Sequence, residues 1–354
     1  MIKKLYEITS NITDGKHGDC EPDKNSKCYF ISAKDINEFG INYFGARRIT
    51  KDSYIESHQR TQLAINDILI TNSGTIGKMC IVRNIPYETT FQKSVAIIKP
   101  KSDVIIPRFL FYYLLGNKNK LINLANGSTQ KNLLLKDIRS FEVDVPSFIE
   151  QQHIVNIIGS IDDLIEHKNL IINKINQLKK YLYFKSIAKS QAESTLKNYI
   201  NIETGSMNLN ENDPNGEYIF YTRNEGTFKA NKYTHNQTGV IVAGEGNFTP
   251  KYAKGKFGLH QRAYLLSSNS DLLSDEILLQ IVSSNVDYLN SVAVGSTVKS
   301  LRRNSFENMP FYIDGKYDEI KNVLFKLQKL ENEYIHLINK LNNTKQIYLK
   351  KFFG

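Results

Sequence analysis

The chain has 354 residues, 41% hydrophobic and 11% aromatic, long enough for two separate cores and too apolar for wholesale disorder. Its formal net charge of +10 and pI of about 9.2 suit an acidic partner such as nucleic acid. No segment approaches the roughly 20 apolar residues of a membrane span, and the opening MIKKLYEITSNITDG has no apolar leader core, so a cytoplasmic protein with no membrane partner is expected.

From the start of the chain, NITDG (11–15) leads into the polar pair Lys16 and His17. Cys20, Cys28 and Cys80 form no CxxC, cannot all pair, and read as incidental thiols. NDILITN (66–72) is strand-like, and SGTIGK (73–78) after it lacks the spacing of a phosphate loop and its Ser or Thr after Lys78. FQKSVAII (91–98) reads as a short strand with polar residues at its start, and PRFLFYYLLGN (107–117) as a helix. ANGSTQKNL (125–133) is a small polar turn.

Much of this recurs. ANGSTQKNL returns as AVGSTVKSL (293–301), with Gly127 mapping to Gly295, an offset of 295 − 127 = 168. At the same offset FQKSVAII faces LHQRAYLL (259–266) and PRFLFYYLLGN faces DEILLQIVSSN (275–285). NITDG faces NIETG (201–205) at offset 190, and NDILITN has a looser counterpart in GVIVAG (239–244), so a whole domain is used twice with insertions between.

A long helix is expected after each copy. Ile320, Val323, Leu327, Leu330, Tyr334, Leu337, Leu341, Thr344 and Tyr348 step by three and four, the heptad seam of a coiled coil. Subtracting 166 gives Ile154, Ile157, Ile161, Leu164, Lys168, Ile171, Ile175, Leu178 and Leu182. At ~1.5 Å per residue, helices of about 35 residues would be roughly 50 Å long. Packing of each helix on its own domain and a homodimeric coiled coil are both open; antiparallel pairing within the chain is favoured, because a two-fold repeat faces equivalent stripes, with Lys168 helping to fix register. The expected boundaries are a first domain over 1–148, a central helix over 149–189, a second domain over 190–316 and a terminal helix over 317–354.

Catalytic chemistry finds no foothold. The seven His make no HxxxH or HExxH pair, and no metal site is expected. Gly244-Glu245-Gly246 follows an apolar strand, but NFTPKYAKGKFG after it is a loop, not the helix a dinucleotide site needs. NIPY (84–87) and NMPF (308–311) lack the first Pro of the adenine-methyltransferase loop, and EHK (166–168) lies on the heptad helix. With no nucleophile, base and orienting group at recognisable spacing, the sequence argues against an enzyme; a degenerate adenine methyltransferase ranks behind both binding readings.

Binding groups gather near predicted turns instead. The candidate DNA-binding residues are Lys16, His17, Lys78, Gln92, Lys93, Gln130 and Lys131 in the first half, with Arg223, Asn247, Lys251, Lys254, His260, Gln261, Arg262, Lys299, Arg302 and Arg303 in the second. Arg, Lys, Gln and Asn bond base edges, and Lys and Arg neutralise phosphate. Gln92–Lys93 faces His260–Gln261–Arg262, and Lys131 faces Lys299, so the copies share a frame and differ in the groups it carries. Two unlike readers imply an asymmetric, split site whose gap a rod would set.

With ITDGKHG (12–18), YFISAKDI (29–36), NDILITNSGTIGK (66–78) and above all NGSTQKNLLLKDIRSFEVDVP (126–146) running into EQQHIVNIIGSIDDLIEHK (150–168), the chain resembles the specificity subunit of Type I restriction-modification systems. In the more divergent second copy FYTRNEG (220–226) and GSTVKSLRRNSFENMPF (295–311) extend the resemblance, whereas YDEIKNVL (317–324) replaces the Glu-Gln-Gln helix start. The resemblance implies an α+β fold: two α/β target recognition domains separated by two long helices that pair as an antiparallel coiled coil, a pseudo-two-fold repeat. It implies double-stranded DNA, two adenine-N6 methyltransferase subunits and restriction subunits as partners. The partners would hold the catalytic residues and use S-adenosylmethionine, ATP and Mg, with no cofactor bound by this chain. The alternative is a coiled-coil scaffold that binds proteins, with its basic charge incidental.

Overall fold

The computed structural model describes residues 1–125, 132–224, 226 and 228–354, so Gln130 and Lys131 lie outside the described residues. The chain is mixed α and β and divides into two compact units: unit 1 is Met1–Asn169 with Leu337–Gly354, and unit 2 is Leu170–His336. No helix among the described residues is long and apolar enough to cross a membrane.

Unit 1 begins with β1 (Ile2–Lys4), β2 (Thr9–Asp14), β3 (Cys28–Ile31), β4 (Ile36–Asn37), β5 (Gly40–Ile41), β6 (Arg47–Ile49) and α1 (Lys51–Thr61). It continues through β7 (Ile68–Thr71), β8 (Met79–Ile81), β9 (Glu88–Phe91), β10 (Val95–Pro100), α2 (Pro107–Gly116), α3 (Lys118–Asn123), α4 (Leu135–Ser140), β11 (Glu142–Asp144) and the start of α5 (Phe148–Ile187). The main sheet is antiparallel in the order β2-β10-β7-β8. It is covered on both faces, which is why its strands read as continuous apolar runs. Ile68, Ile70, Ala96 and Ile98 enter one core with α2, while Leu69, Val95 and Ile97 enter a second core under the β6-β3-β9 sheet.

Unit 2 runs from the end of α5 through β12 (Glu193–Thr195), β13 (Ile200–Thr204), β14 (Tyr218–Tyr221), β15 (Phe228–Ala230), β16 (His235–Asn236), β17 (Gly239–Ala243), β18 (Lys251–Ala253), β19 (Lys256–Leu259) and β20 (Ala263–Ser268). Then come α6 (Asp275–Ser284), α7 (Val286–Val292), α8 (Arg303–Glu307), β21 (Pro310–Tyr312) and the start of α9 (Tyr317–Phe353). Its main sheet is antiparallel in the order β13-β20-β17-β18, and Val240 and Val242 face one core while Ile241 faces another. The second sheet is β15-β14-β19-β16, in which β14 and β19 pair parallel, as β3 and β9 do in unit 1.

FQKSVAII and LHQRAYLL are each two strands, not one. β9 ends at Phe91 and β10 starts at Val95; β19 ends at Leu259 and β20 starts at Ala263. The polar triplets between them break the apolar alternation and close tight turns, Val95 N donating to Gln92 O at 3.0 Å and Ala263 N to His260 O at 2.9 Å. In each unit the chain thus leaves one sheet for the other at its polar triplet.

α5 has 40 residues, about 60 Å at ~1.5 Å per residue, and α9 has 37. In unit 1, Asp162 of α5 holds the buried Lys345 Nζ of α9 at 2.7 Å, while Val155 and Ile158 share a core with Leu349 and Phe353. In unit 2, the buried Lys179 Nζ of α5 donates to Gln328 Oε1 of α9 at 2.7 Å and pairs with Glu331, and the Lys316 amide donates to Ser186 O at 3.0 Å. In each unit one helix number rises as the other falls, so the two run antiparallel there. The lysines occupy equivalent places, 345 − 179 = 166, as do their acceptors, 328 − 162 = 166. Burial pushes the Lys179 ammonium below its usual range, and Glu331 pulls it part-way back.

These charges correct the expected seam. Ile154, Ile161, Ile175, Leu182, Ile320, Leu327, Tyr334, Leu341 and Tyr348 are buried or half-buried, and Ile157 and Ile171 are half-buried. Leu164, Leu178, Val323, Leu330 and Leu337 are instead exposed, between 38% and 45%. The row one residue on is turned inward: Ile158, Ile165, Ile172 and Lys179 on α5, and Leu324, Glu331, Ile338 and Lys345 on α9. Hydrophobicity alone selects the row without charges, but the inward row is stable because its lysines meet acceptors on the facing helix, as burial of charge requires. Glu331→Ala is expected to lower stability by about 3 kcal/mol, leaving Lys179 buried without its counter-charge, whereas Lys179→Met with Glu331→Leu should recover most of the loss. Denaturant unfolding of the single and double variants measures both.

Candidate nucleic-acid interface

The polar triplets stand where NITDG and NIETG arrive. In unit 1 the Lys16 amide donates to Phe91 O at 2.8 Å and the Lys93 amide to Lys16 O at 3.1 Å; in unit 2 the Met207 amide donates to Leu259 O at 3.1 Å and the Gln261 amide to Met207 O at 3.0 Å. The glycines make this approach possible: a Cβ on Gly15 would lie 2.0 Å from Phe91 O, and one on Gly205 would lie 2.1 Å from Leu259 O. Main-chain bonds therefore build one corner in each unit, and side chains decide what it presents.

In unit 1 the corner gathers Lys16, His17, Gln92 and Lys93. Lys16 Nζ pairs with Glu56 of α1 at 2.7 Å, which raises its affinity for the proton. His17 Nε2 lies 3.2 Å from Asp14 Oδ2, and Asp14, nearly buried at the end of β2, also binds Arg60 of α1. Gln92 Oε1 accepts from Ser94 Oγ at 3.2 Å, and Lys93 is exposed. Lys78 stands nearby, its amide donating to Thr71 Oγ1 at 2.9 Å.

In unit 2 the corner holds His260, Gln261, Arg262 and Arg223. Glu245 accepts from Nη1 of Arg262 at 3.0 and 3.1 Å and pairs with Arg223. Partial burial of Glu245 opposes its charge, but the Arg262 and Arg223 bonds outweigh it and hold the carboxyl below its usual range. His260 is buried, and its Nδ1 accepts the Arg262 amide at 3.0 Å. Burial, then the charges of Arg223 and Arg262, push its imidazole below the ordinary histidine range, so the ring is neutral at pH 7. Gln261 Nε2 donates to Asn208 Oδ1 at 2.8 Å, and Asn247 and Lys251 line a cleft with Arg223.

The remaining candidates are not brought to this corner by their side chains. Lys299 reaches back to Asn290 O at 2.8 Å, although its carbonyl accepts the Gly246 amide. Lys254 lies over the Phe325 ring of α9 at 6.0 Å. Arg303 binds Glu307 and the Ile202 carbonyl of β13 at 3.1 Å, a structural clamp matched in unit 1 by Arg139 on Ile12 O at 2.7 Å. Arg302 is exposed beside it. Glu245, Asp14 and Glu56 are anions among the cations of the turns, and Arg60 stands on α1 rather than in a turn, so none of the four belongs to the basic and amide pattern of the sequence; the Gly-Glu-Gly of the loop signals Glu245, since a carboxylate set among basic turns needs partners. Among the described residues no group of three or more His, Cys, Asp or Glu is placed to hold a metal, and burial pushes the Cys80 thiol up to about 12, far from a reactive thiolate.

Residues 3–177 match the family model for the Type I restriction modification DNA specificity domain. The chain belongs to the Type I restriction-modification specificity family. It is 30% identical over 148 residues to the Type I restriction enzyme EcoBI specificity subunit of Escherichia coli, covering 41% of this chain and 30% of that one. It is 32% identical over 154 residues to the MjaIX specificity subunit of Methanocaldococcus jannaschii, covering 41% and 34%. The chain thus matches about a third of the length of these curated relatives. The crystal structure of a Type I restriction-modification S subunit from M. genitalium shares the fold, with a TM-score of 0.55 and 13% identity over 100% of this chain and 96% of that one.

Gly205→Ala in this specificity subunit is expected to open the unit 2 corner at a cost above about 2 kcal/mol, because the backbone contact leaves no room to relax. Hydrogen exchange should show faster exchange at the Met207 and Gln261 amides and no change at Lys93. A second outcome follows from His260. Its folded form disfavours the proton, so its contribution is full above about pH 6.5 and is lost as pH falls below that value. His260→Gln should flatten this acid-side loss in unfolding measured from pH 7 down to 5.

Proposed function

We propose that this chain is the DNA sequence-recognition subunit of a Type I restriction-modification complex. Each unit would read one part of a bipartite, asymmetric site in double-stranded DNA. The observation that carries the proposal is the corner built twice from the same main-chain bonds with unlike side chains, Gln92–Lys93 in unit 1 and His260–Gln261–Arg262 in unit 2. Equal frames with different donors and acceptors suit two half-sites of different sequence. The target recognition domains would be residues 1–148 and 190–316, with helices over 149–189 and 317–354 acting as an antiparallel coiled coil that sets the gap. The whole would be a pseudo-two-fold repeat working in the cytoplasm.

The chemistry would belong to partners. Two methyltransferase subunits would be placed on adenine N6 atoms, using S-adenosylmethionine, and restriction subunits using ATP and Mg would join them. The exposed apolar residues Leu164, Leu178, Val323, Leu330 and Leu337 give the helices a surface suited to such partners.

Methylome sequencing of a host carrying this chain with its methyltransferase subunit is expected to reveal one split motif with a fixed gap and a modified adenine in each half. Duplex affinity of the assembled complex should fall steeply with salt, and each lost phosphate contact should reduce the slope of log affinity against log salt by about one. Salt-insensitive binding, with no methylated motif, would instead support the protein-binding scaffold.

A further inference from the structure

Glu245 and the two arginines that meet at it have counterparts in unit 1, and the comparison sets them apart. β14 and β19 pair parallel with Tyr221 opposite Leu259, and β3 and β9 pair parallel with Ile31 opposite Phe91. Two residues beyond the first strand stands Arg223 in unit 2 and Ala33 in unit 1; three beyond the second stands Arg262 or Ser94. Glu245 bridges to Ser300 as Ser73 bridges to Asn132, and 300 − 132 = 168. One frame therefore carries Arg, Glu and Arg in unit 2 and Ala, Ser and Ser in unit 1, where the Ala33 amide donates to Ser94 Oγ at 3.2 Å.

A carboxylate on a face that meets phosphate is repulsive unless it serves another end. Glu245 stands on a clamped backbone: the Gly244 amide donates to Arg262 O at 2.8 Å, the Leu301 amide to Gly244 O at 2.8 Å and the Gly246 amide to Lys299 O at 3.1 Å. It takes Nη1 of each arginine, and a guanidinium has five N–H donors, so both keep donors for an incoming acceptor. Holding two long side chains before binding removes much of the entropy lost in ordering them later. It also lowers the local charge from two to one, which weakens attraction to any phosphate and favours a partner that offers paired acceptors in a plane. The major-groove edge of guanine, with O6 and N7, is such a partner.

Resting on the DNA-recognition reading above, we infer that Glu245 is a specificity-determining positioning residue that aims Arg223 and Arg262 at guanine edges in the half-site read by unit 2. Unit 1, with Ala33, Ser73 and Ser94, lacks this reader.

The test uses the full chain assembled with its methyltransferase subunit, comparing wild type, Glu245→Gln and Arg262→Lys by methylome sequencing and by competition binding on duplexes with single base changes. Glu245→Gln should reduce discrimination at one or two G·C pairs of one half-site by about tenfold, leave the other half-site unchanged and raise affinity for unrelated duplex. Arg262→Lys should relax the same pairs, because an ammonium cannot bond two acceptors as a fork does. Unchanged discrimination in both half-sites, or equal relaxation of both, overturns the assignment of Glu245. Absence of any split motif with the wild-type chain would instead overturn the reading on which it rests.

Discussion

The arrangement depends on two buried ammonium groups that cannot be left unpaired. Lys179 and Lys345 each come from one long helix and find their acceptors on the other. An apolar seam tolerates sliding and rotation, since one leucine replaces another at small cost. A desolvated lysine does not, because a shift of one residue carries it past its carboxylate or amide and leaves several kcal/mol of unmet solvation. Register between α5 and α9 is thereby fixed twice, once in each unit, by buried polar contacts.

That constraint also explains which parts of the fold were legible in sequence. The buried strands β7, β10, β17 and β20 announce themselves as apolar runs, and α2 and α6 by helical periodicity with Pro107 or the Ser274 cap in front. The long helices show their period clearly and their phase poorly. The row through Leu164 is wholly apolar and the row through Ile165 includes Lys179, so pattern alone favours the first, and only the acceptors on the facing helix turn the second inward. The polar helix α1 buries little beyond Ser57 and Thr61, so no stripe marks it. The parallel pairs β3–β9 and β14–β19 join segments far apart in sequence, a relation that local pattern cannot carry.

The candidate interface divides in the same way. Basic and amide groups at the turns were visible, and the corner does gather Lys16, His17, Gln92 and Lys93, or Arg223, Gln261 and Arg262. Arg303 and Lys254 show the limit of reading charge alone: one clamps a strand carbonyl and the other covers an aromatic ring. What a list of cations misses is the anion among them. Asp14 and Glu245 determine where neighbouring arginines point, and a guanidinium that is aimed differs chemically from one that is free.

The corner is held by main-chain amides and carbonyls that every residue type but proline possesses. The Leu133 amide reaches Asn72 O and the Leu301 amide reaches Gly244 O, each at 2.8 Å, whatever side chains stand between. Mutational drift at positions 33, 73 and 94, or 223, 245 and 262, therefore leaves the scaffold intact while changing the surface it displays. Such a frame lets new preferences evolve in one unit without disturbing the other, and a handful of codons separates one preference from the next.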